Sequence, residues 1–331
     1  MPNTRTPRSG SLQFWPRKRT KRQTARIRTH AKQKDLKLDS FFGYKIGMTH
    51  VQAIETNKNS HLKGAEISVP VTIIECPPIK IAAIRLYKKS TNSMYRIILN
   101  KELLLTTDKN LIGRLRLPKK DFSSELDKLD PKEYDDVRIM VYTQPGMTGF
   151  GKKVPDLMES SIGGSSVEEK IKFVKENVGK DLQFESVFQE GDLVDIKSIT
   201  KGKGFEGPIA RFGIAQRQSK SEKSIRNPGT LGPWSGQGHI MWRVAHAGKT
   251  GYAQRTEYNK QILKHIKSPE EINPKGGFLR YGIAKNPVVL IKGSLPCPSK
   301  RVVVMVKATR VKKAQSLITI EKVSTHEMQG N

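Results

Sequence analysis

Two segments near the start of the chain set its fold class: Ile67-Ser68-Val69-Pro70-Val71-Thr72-Ile73-Ile74-Glu75 and Ile81-Ala82-Ala83-Ile84-Arg85-Leu86-Tyr87. Both are short and rich in β-branched and aromatic residues, which suit a half-buried pleated surface better than a helix. Similar segments follow at Met94 to Leu99 and Val137 to Thr143. More come much later, at Leu193 to Ile199, Val288 to Ile291, Arg301 to Lys307 and Leu317 to Ile320. Two clusters of short strands separated by more than a hundred residues point to one β-barrel interrupted by an insertion. The expected class is therefore mainly β with an inserted α+β region. The boundaries read as a basic N-terminal extension over 1–40, a first part of the barrel over 41–95 and an acidic insertion over 96–186. The rest of the barrel spans 187–310 and contains a basic central loop over 200–256, and 311–331 holds a last strand and tail.

The insertion carries the clearest helix signal. Ser165 stands three residues before Glu168, the spacing of a capping box. Val167, Ile171, Val174 and Val178 recur at helical spacing, and Gly179 supplies the stop. Asp121 to Leu129 carries a weaker helical pattern.

Charge divides the chain sharply. Lys and Arg number 60 against 31 Asp and Glu, a net charge of +29 over 331 residues. Residues 121–195 hold 17 of the acids and nine of the bases, so the remainder carries +37. A compact body is destabilised by such self-repulsion, and a polyphosphate partner removes it by releasing counterions. Residues 1–34 contain eleven Lys or Arg and no acid, and Pro2, Pro7, Gly10 and Pro16 interrupt any helix there. They read as an extended arm ordered by nucleic acid, with Arg5, Arg8, Arg17, Lys18, Arg19, Lys21, Arg22, Arg26 and Arg28 facing phosphates and Trp15 stacking on bases. Residues 200–256 form the second limb. Ten glycines lie between Gly202 and Gly251, and no apolar periodicity is long enough for a core element. A structureless run of that length needs a functional reason. Its candidate RNA-binding residues are Lys201, Lys203, Arg211, Arg217, Lys220, Lys223, Arg226, His239, Arg243, Lys249 and Arg255. Trp234 has only small, polar or turn-forming neighbours, and an indole at such a loop tip suits stacking against bases.

Enzymatic readings fare poorly. Gly202-Lys203-Gly204-Phe205-Glu206-Gly207 matches GxGxxG, but that fingerprint needs a helix opening at the last glycine inside a βαβ unit. Pro208 follows, then Gly213, and no second strand arrives on schedule. Gly248-Lys249-Thr250 lacks the glycine that a P-loop requires five residues earlier, where Arg243 stands. The histidines show no metal-binding spacing, and the two cysteines, Cys76 and Cys297, support neither a disulfide framework nor a zinc site. No cofactor is expected. No apolar run reaches about 18 residues, so no membrane-spanning helix is expected.

Phe188, Asp195, Ser198, Thr200, Gly202-Lys203-Gly204, Gly207 and Arg211 together resemble the signature of the ribosomal protein uL3 family in its archaeal or eukaryotic-like form. Phe42 to His50, His246 to Asn259 and Asn273 to Phe278 are similar to other segments of that family. The resemblance covers essentially the whole chain. It implies a translation-protein-like β-barrel and a non-catalytic constituent of the large (50S) subunit, in the ribosome of the cytoplasm. Implied partners are 23S rRNA and neighbours resembling uL14 and eL24, with no membrane and no homo-oligomer. It also implies early assembly and a loop tip of Gly232, Pro233, Trp234, Ser235 and Gly236 near the peptidyl transferase centre and the aminoacyl-tRNA path. Some relatives carry a modified histidine where Glu222 stands here, so regulation by that modification is not implied. The charge alone leaves a DNA-binding architectural protein as the alternative.

Overall fold

The computed structural model describes residues 8–31, 33–57, 59–90, 97–119, 122–220, 224–232, 238–311 and 318–326. The chain forms two compact units: Met1–Arg22 with Ile199–Gln254, and Gln23–Ser198 with Arg255–Asn331.

The larger unit holds two sheets. The first joins β1 (Ser40–Ile54), β2 (Glu66–Glu75), β7 (Leu193–Ile199), β10 (Gln254–Ile266), β11 (Val288–Lys292), β12 (Val302–Lys307) and β13 (Thr319–Val323), in the order β12-β7-β10-β11-β2-β1-β13. β12 also pairs with the start of β1, from Ser40↔Val306 to Tyr44↔Val302, while β13 takes the far end of β1 through Val51↔Val323. Bulges at Lys45/Gly47 and at Ile262/Lys264 sharpen the twist that brings these ends together. The mainly-β class expected from the sequence is what forms, as a strongly curled sheet rather than a barrel of evenly paired staves. Phe41, Tyr44, Ile73, Val289 and Val304 on its strands are all fully buried.

The second sheet runs β4 (Ile97–Leu104), β3 (Ile79–Lys89), β5 (Asp136–Thr143), β6 (Leu157–Ser161). The segment 81–87, expected in the first part of the barrel (41–95), thus belongs to the second sheet. Cys76-Pro77-Pro78 separates β2 from β3, and prolines lack the N–H needed to continue a ladder. The two sheets share one apolar core. Helix α1 (Val167–Asn177) buries Ile171 and Val174 in it. The capping box forms one residue later than expected: Ser166 Oγ accepts from Glu169 N at 3.2 Å, and Glu169 reaches back to Ser166 N. Both Ser165 and Ser166 have a glutamate three residues on, so spacing alone does not choose between them. In place of a helix at Asp121 to Leu129 there is one 3-10 turn, Ser123–Leu126.

Two long strands, β1 and β10, escape the sequence patterns. Each mixes charged or polar residues with apolar ones, and some of the polar ones are buried inside the fold. Lys45, buried, donates to Leu295 O at 3.3 Å, and Gln261 is 1% exposed. The basic extension is also shorter than the expected 1–40. From Gln23 onward the chain belongs to the larger unit, where Ala25 and Leu38 are buried and His30 Nδ1 lies 2.6 Å from the buried Asp39 carboxylate.

Acids of the insertion are paired locally. Glu159 accepts from Arg85 at 2.7 Å and Arg138 at 2.9 Å, and Asp136 accepts from Arg138 at 3.1 Å and Lys170 at 2.9 Å. Burial pushes the Glu159 carboxyl up, but the hydrogen bonds from Arg138 and Arg85 outweigh it and hold it below its ordinary 4.5. The linkage sign follows: the contribution is fully present above about pH 4.5 and is lost as pH falls through the lower folded value. Urea unfolding at pH 7 and pH 3.5 should show this loss, and Glu159→Gln should make the profile flatter over that range. An unchanged profile would remove the role assigned to this network.

Candidate nucleic-acid interface

The smaller unit combines the start of the chain with the central loop. It contains sixteen Lys or Arg against Glu206 and Glu222, about half of the protein's net charge in under a quarter of its length. Its geometry starts where the two legs of the loop are zipped together. Thr200 N donates to Ala253 O at 3.0 Å, Tyr252 N to Lys201 O at 3.3 Å and Lys203 N to Thr250 O at 3.0 Å. The short strands β8 (Gly204–Glu206) and β9 (Gly248–Thr250) continue the pairing antiparallel. Gly251 is required here: its φ is +73°, and a Cβ would sit 2.1 Å from Lys201 O.

Helix α2 (Pro208–Phe212) opens directly after Gly207 with Pro208 in its first turn, and ends on left-handed Gly213. From the sequence alone, Pro208 argues against a helix starting there. At the first helical position, however, proline removes an N–H that has no intrahelical partner anyway. Five residues of helix after an antiparallel hairpin strand do not make a βαβ unit, so a dinucleotide site remains unsupported.

α2 seats a small aromatic cluster that the sequence patterns do not show. Phe212 is buried. Trp15 stacks on it with ring centroids 5.6 Å apart, and Trp242 meets Trp15 edge-on at 5.4 Å. The Arg17 guanidinium lies 4.3 Å from the Phe212 ring centre, and its Nη1 donates to Arg211 O at 2.8 Å. Arg211 in turn donates to His246 O at 3.0 Å and Lys249 O at 3.2 Å. Arg19 sits over Tyr252, whose carbonyl accepts from the backbone and side chain of Thr20 at 3.0 and 3.1 Å. The arm and the loop, expected as separate extended limbs, therefore pack on each other through residues about two hundred positions apart. Trp15, Arg17 and Arg211 serve that packing, which differs from the base stacking and phosphate contact expected of them. Trp15→Ala removes the shared ring. It should weaken closure of this unit by about 2 kcal/mol, roughly thirty-fold in the closed-to-open ratio. Limited proteolysis should then cut within 8–22 and 238–253 faster than in the unsubstituted chain, and equal rates would refute the structural role of Trp15.

The other expected cations of this unit face solvent. Arg8, Lys18, Arg19, Lys21 and Arg22 are exposed along the arm, and Lys201, Lys203, Arg217, Lys220, Arg226, Arg243 and Lys249 along the loop, with His239. Arg217 is tied by its Nη2 to Pro228 O at 2.8 Å. Arg26 and Arg28 are exposed in the larger unit, and Arg255 is half-buried there. Arg5, Lys223 and the tip residues Pro233, Trp234, Ser235 and Gly236 lie outside the described residues, and Gly232, at the near side of the tip, has φ +120°. Two exposed aromatics escaped sequence reasoning. Phe205 is 76% exposed inside the glycine motif, and Trp242 is 62% exposed while meeting Trp15 edge-on. Exposed rings among cations supply stacking surfaces that single-stranded bases use. Among the described residues no cluster of His, Cys, Asp or Glu could hold a metal.

A family model described as ribosomal protein L3 matches residues 1–100 and 118–330. Proteins named large ribosomal subunit protein uL3 are similar over nearly their whole length. That of Archaeoglobus fulgidus is 44% identical over 331 residues, and that of Methanococcoides burtonii 43% identical over 334 residues. That of Methanosphaera stadtmanae is 41% identical over 335 residues, and in all three cases the match covers 98% of both chains.

Proposed function

The chain belongs to the ribosomal protein L3 family, a structural constituent of the large ribosomal subunit, and on that premise we propose that its smaller unit is the principal rRNA-binding element. The observation that carries this reading is the charge of that unit: sixteen bases and two acids, with twelve of the bases exposed around a small aromatic centre. Phosphate neutralisation by these side chains supplies affinity, and the antiparallel zipper from Thr200 to Ala253 holds the two legs of the loop together. The proposal includes 23S rRNA as the partner, support of early subunit assembly, and ribosomal neighbours resembling uL14 and eL24. It places the tip around Trp234 near the peptidyl transferase centre and the aminoacyl-tRNA path. The chain supplies geometry and counter-charge there, and bond-making belongs to the RNA.

The test is competition binding of the full chain to structured large-subunit rRNA fragments and to duplex DNA of equal charge. The expected result is preference for rRNA with a steep fall of log K with log salt. Preference for DNA would favour an architectural DNA-binding role, and a flat salt dependence would overturn the electrostatic reading altogether.

A further inference from the structure

The larger unit holds a further cationic segment, the loop from Asn273 to Pro287, which follows the exposed Glu270 and Glu271. Its charged residues are Lys275, Arg280 and Lys285, all exposed. Three of its residues adopt left-handed backbone: Gly277 at φ +74°, Arg280 at +63° and Gly282 at +100°. Arg280 carries a side chain in a conformation that residues other than glycine rarely hold, and such conformations persist only where the surroundings over-determine them.

The surroundings do so here. Glu75 on β2 is fully buried, and its carboxylate accepts from Lys285 N and Asn286 N at 3.0 Å each, from Asn286 Nδ2 at 2.7 Å and from the Tyr281 hydroxyl. Asn273 clamps the other flank, donating to Ala284 O at 2.9 Å and accepting from Ala284 N at 3.0 Å. Across the tip, Phe278 N donates to Gly282 O at 2.9 Å, and Tyr281 N and Gly282 N both donate to Phe278 O at 3.0 Å. Held on this frame, Leu279 is 62% and Ile283 57% exposed, while Tyr281 between them turns inward and is 3% exposed. A loop built only for stability gains nothing by holding two large aliphatic side chains in water on a rigid cationic tip.

We propose that this loop is a preformed RNA contact belonging to the larger unit. Leu279 and Ile283 lie against the sugar faces of a shallow A-form minor groove, and Lys275, Arg280 and Lys285 neutralise the flanking phosphates. Fifteen residues with three cations and no acid favour a polyanion over an acidic protein patch spread among other side chains. The brace through Glu75 and Asn273 means that little ordering entropy is lost on contact. The inference rests on the rRNA-binding reading above and adds a site to it.

Two measurements on the full chain test it. With a photo-cross-linking benzophenone residue in place of Leu279, chain incorporated into large subunits should yield an adduct with one rRNA segment. Adducts with ribosomal proteins alone, or none, would overturn the proposal. Second, Lys275→Ala, Arg280→Ala and Lys285→Ala combined should leave the melting temperature unchanged and reduce the slope of log K against log salt by about 2 to 3 on rRNA. A chain with neutralised limb cations is measured beside it. If the limb variant is impaired and the loop variant is not, the loop contact is refuted and the rRNA-binding reading stands. If both bind as the unsubstituted chain does, the broader reading fails with it.

Discussion

Replacing Lys18, Arg19, Lys21, Arg22, Lys201 and Lys203 together with glutamine is expected to weaken binding to large-subunit rRNA by about three orders of magnitude near physiological salt. The same variant should reduce the slope of log K against log salt by roughly 4 to 5, because each lost phosphate contact removes about 0.7 to 0.9 from it. The choice of residues follows from their placement. All six are exposed, and none makes an ion pair with a carboxylate among the described residues. Arg17 and Arg211 are left intact because their guanidinium groups donate to carbonyls of the chain itself. Substituting those two would confound loss of charge with loss of the aromatic cluster. The measurement is filter binding or calorimetry across about 50 to 400 mM salt, over which the Debye length falls from roughly 14 to 5 Å, with thermal melting as the control. A variant that retains both affinity and slope would show that the smaller unit is not the electrostatic footprint.

Gly43→Ala is expected to destabilise the larger unit strongly. Gly43 lies in β1 opposite Val303 of β12, between the fully buried Phe42 and Tyr44. A Cβ there would stand 2.5 Å from Ile74 Cγ2, 2.8 Å from Glu75 O and 3.0 Å from Cys76 Sγ. Two of these neighbours are locked in the β1–β2 ladder and the third is a fully buried thiol, so the strand itself must move. Overpacking a core in this way is destabilising by about 3 kcal/mol, or roughly 6 to 12 °C in melting temperature for a unit of this size. Gly47→Ala, in the same strand, is the control, since the nearest atom to its added Cβ is Phe278 Cδ1 at 4.0 Å. Equal melting temperatures for the two variants would contradict this account of how β1 closes on β2.

Segments such as 67–75 and 302–307 are legible as strands because β-branched runs of that length have few other places to go. Helix α1 is legible because cap, period and stop agree, with an error of one residue where two serines offer the same spacing. β1 and β10 are not legible, because Lys45 and Gln261 look like surface residues until the fold supplies Leu295 O and a buried setting. The candidate interface divides in the same way. The imbalance of charge is a property of composition, and it points to a polyanion before any coordinate is known.

Composition and local periodicity were thus sufficient for the mainly-β class, the inserted α+β region and the cationic character of both limbs. Tertiary structure alone revealed that Trp15, Arg17, Arg211, Phe212 and Trp242 form one cluster, and that Glu75 braces a loop two hundred residues away. The physical reason is range. Propensity and charge act over a few residues and can be summed along the chain, whereas a ring stacked on a ring or a buried carboxylate meeting four donors depends on which distant backbone the sheets bring alongside.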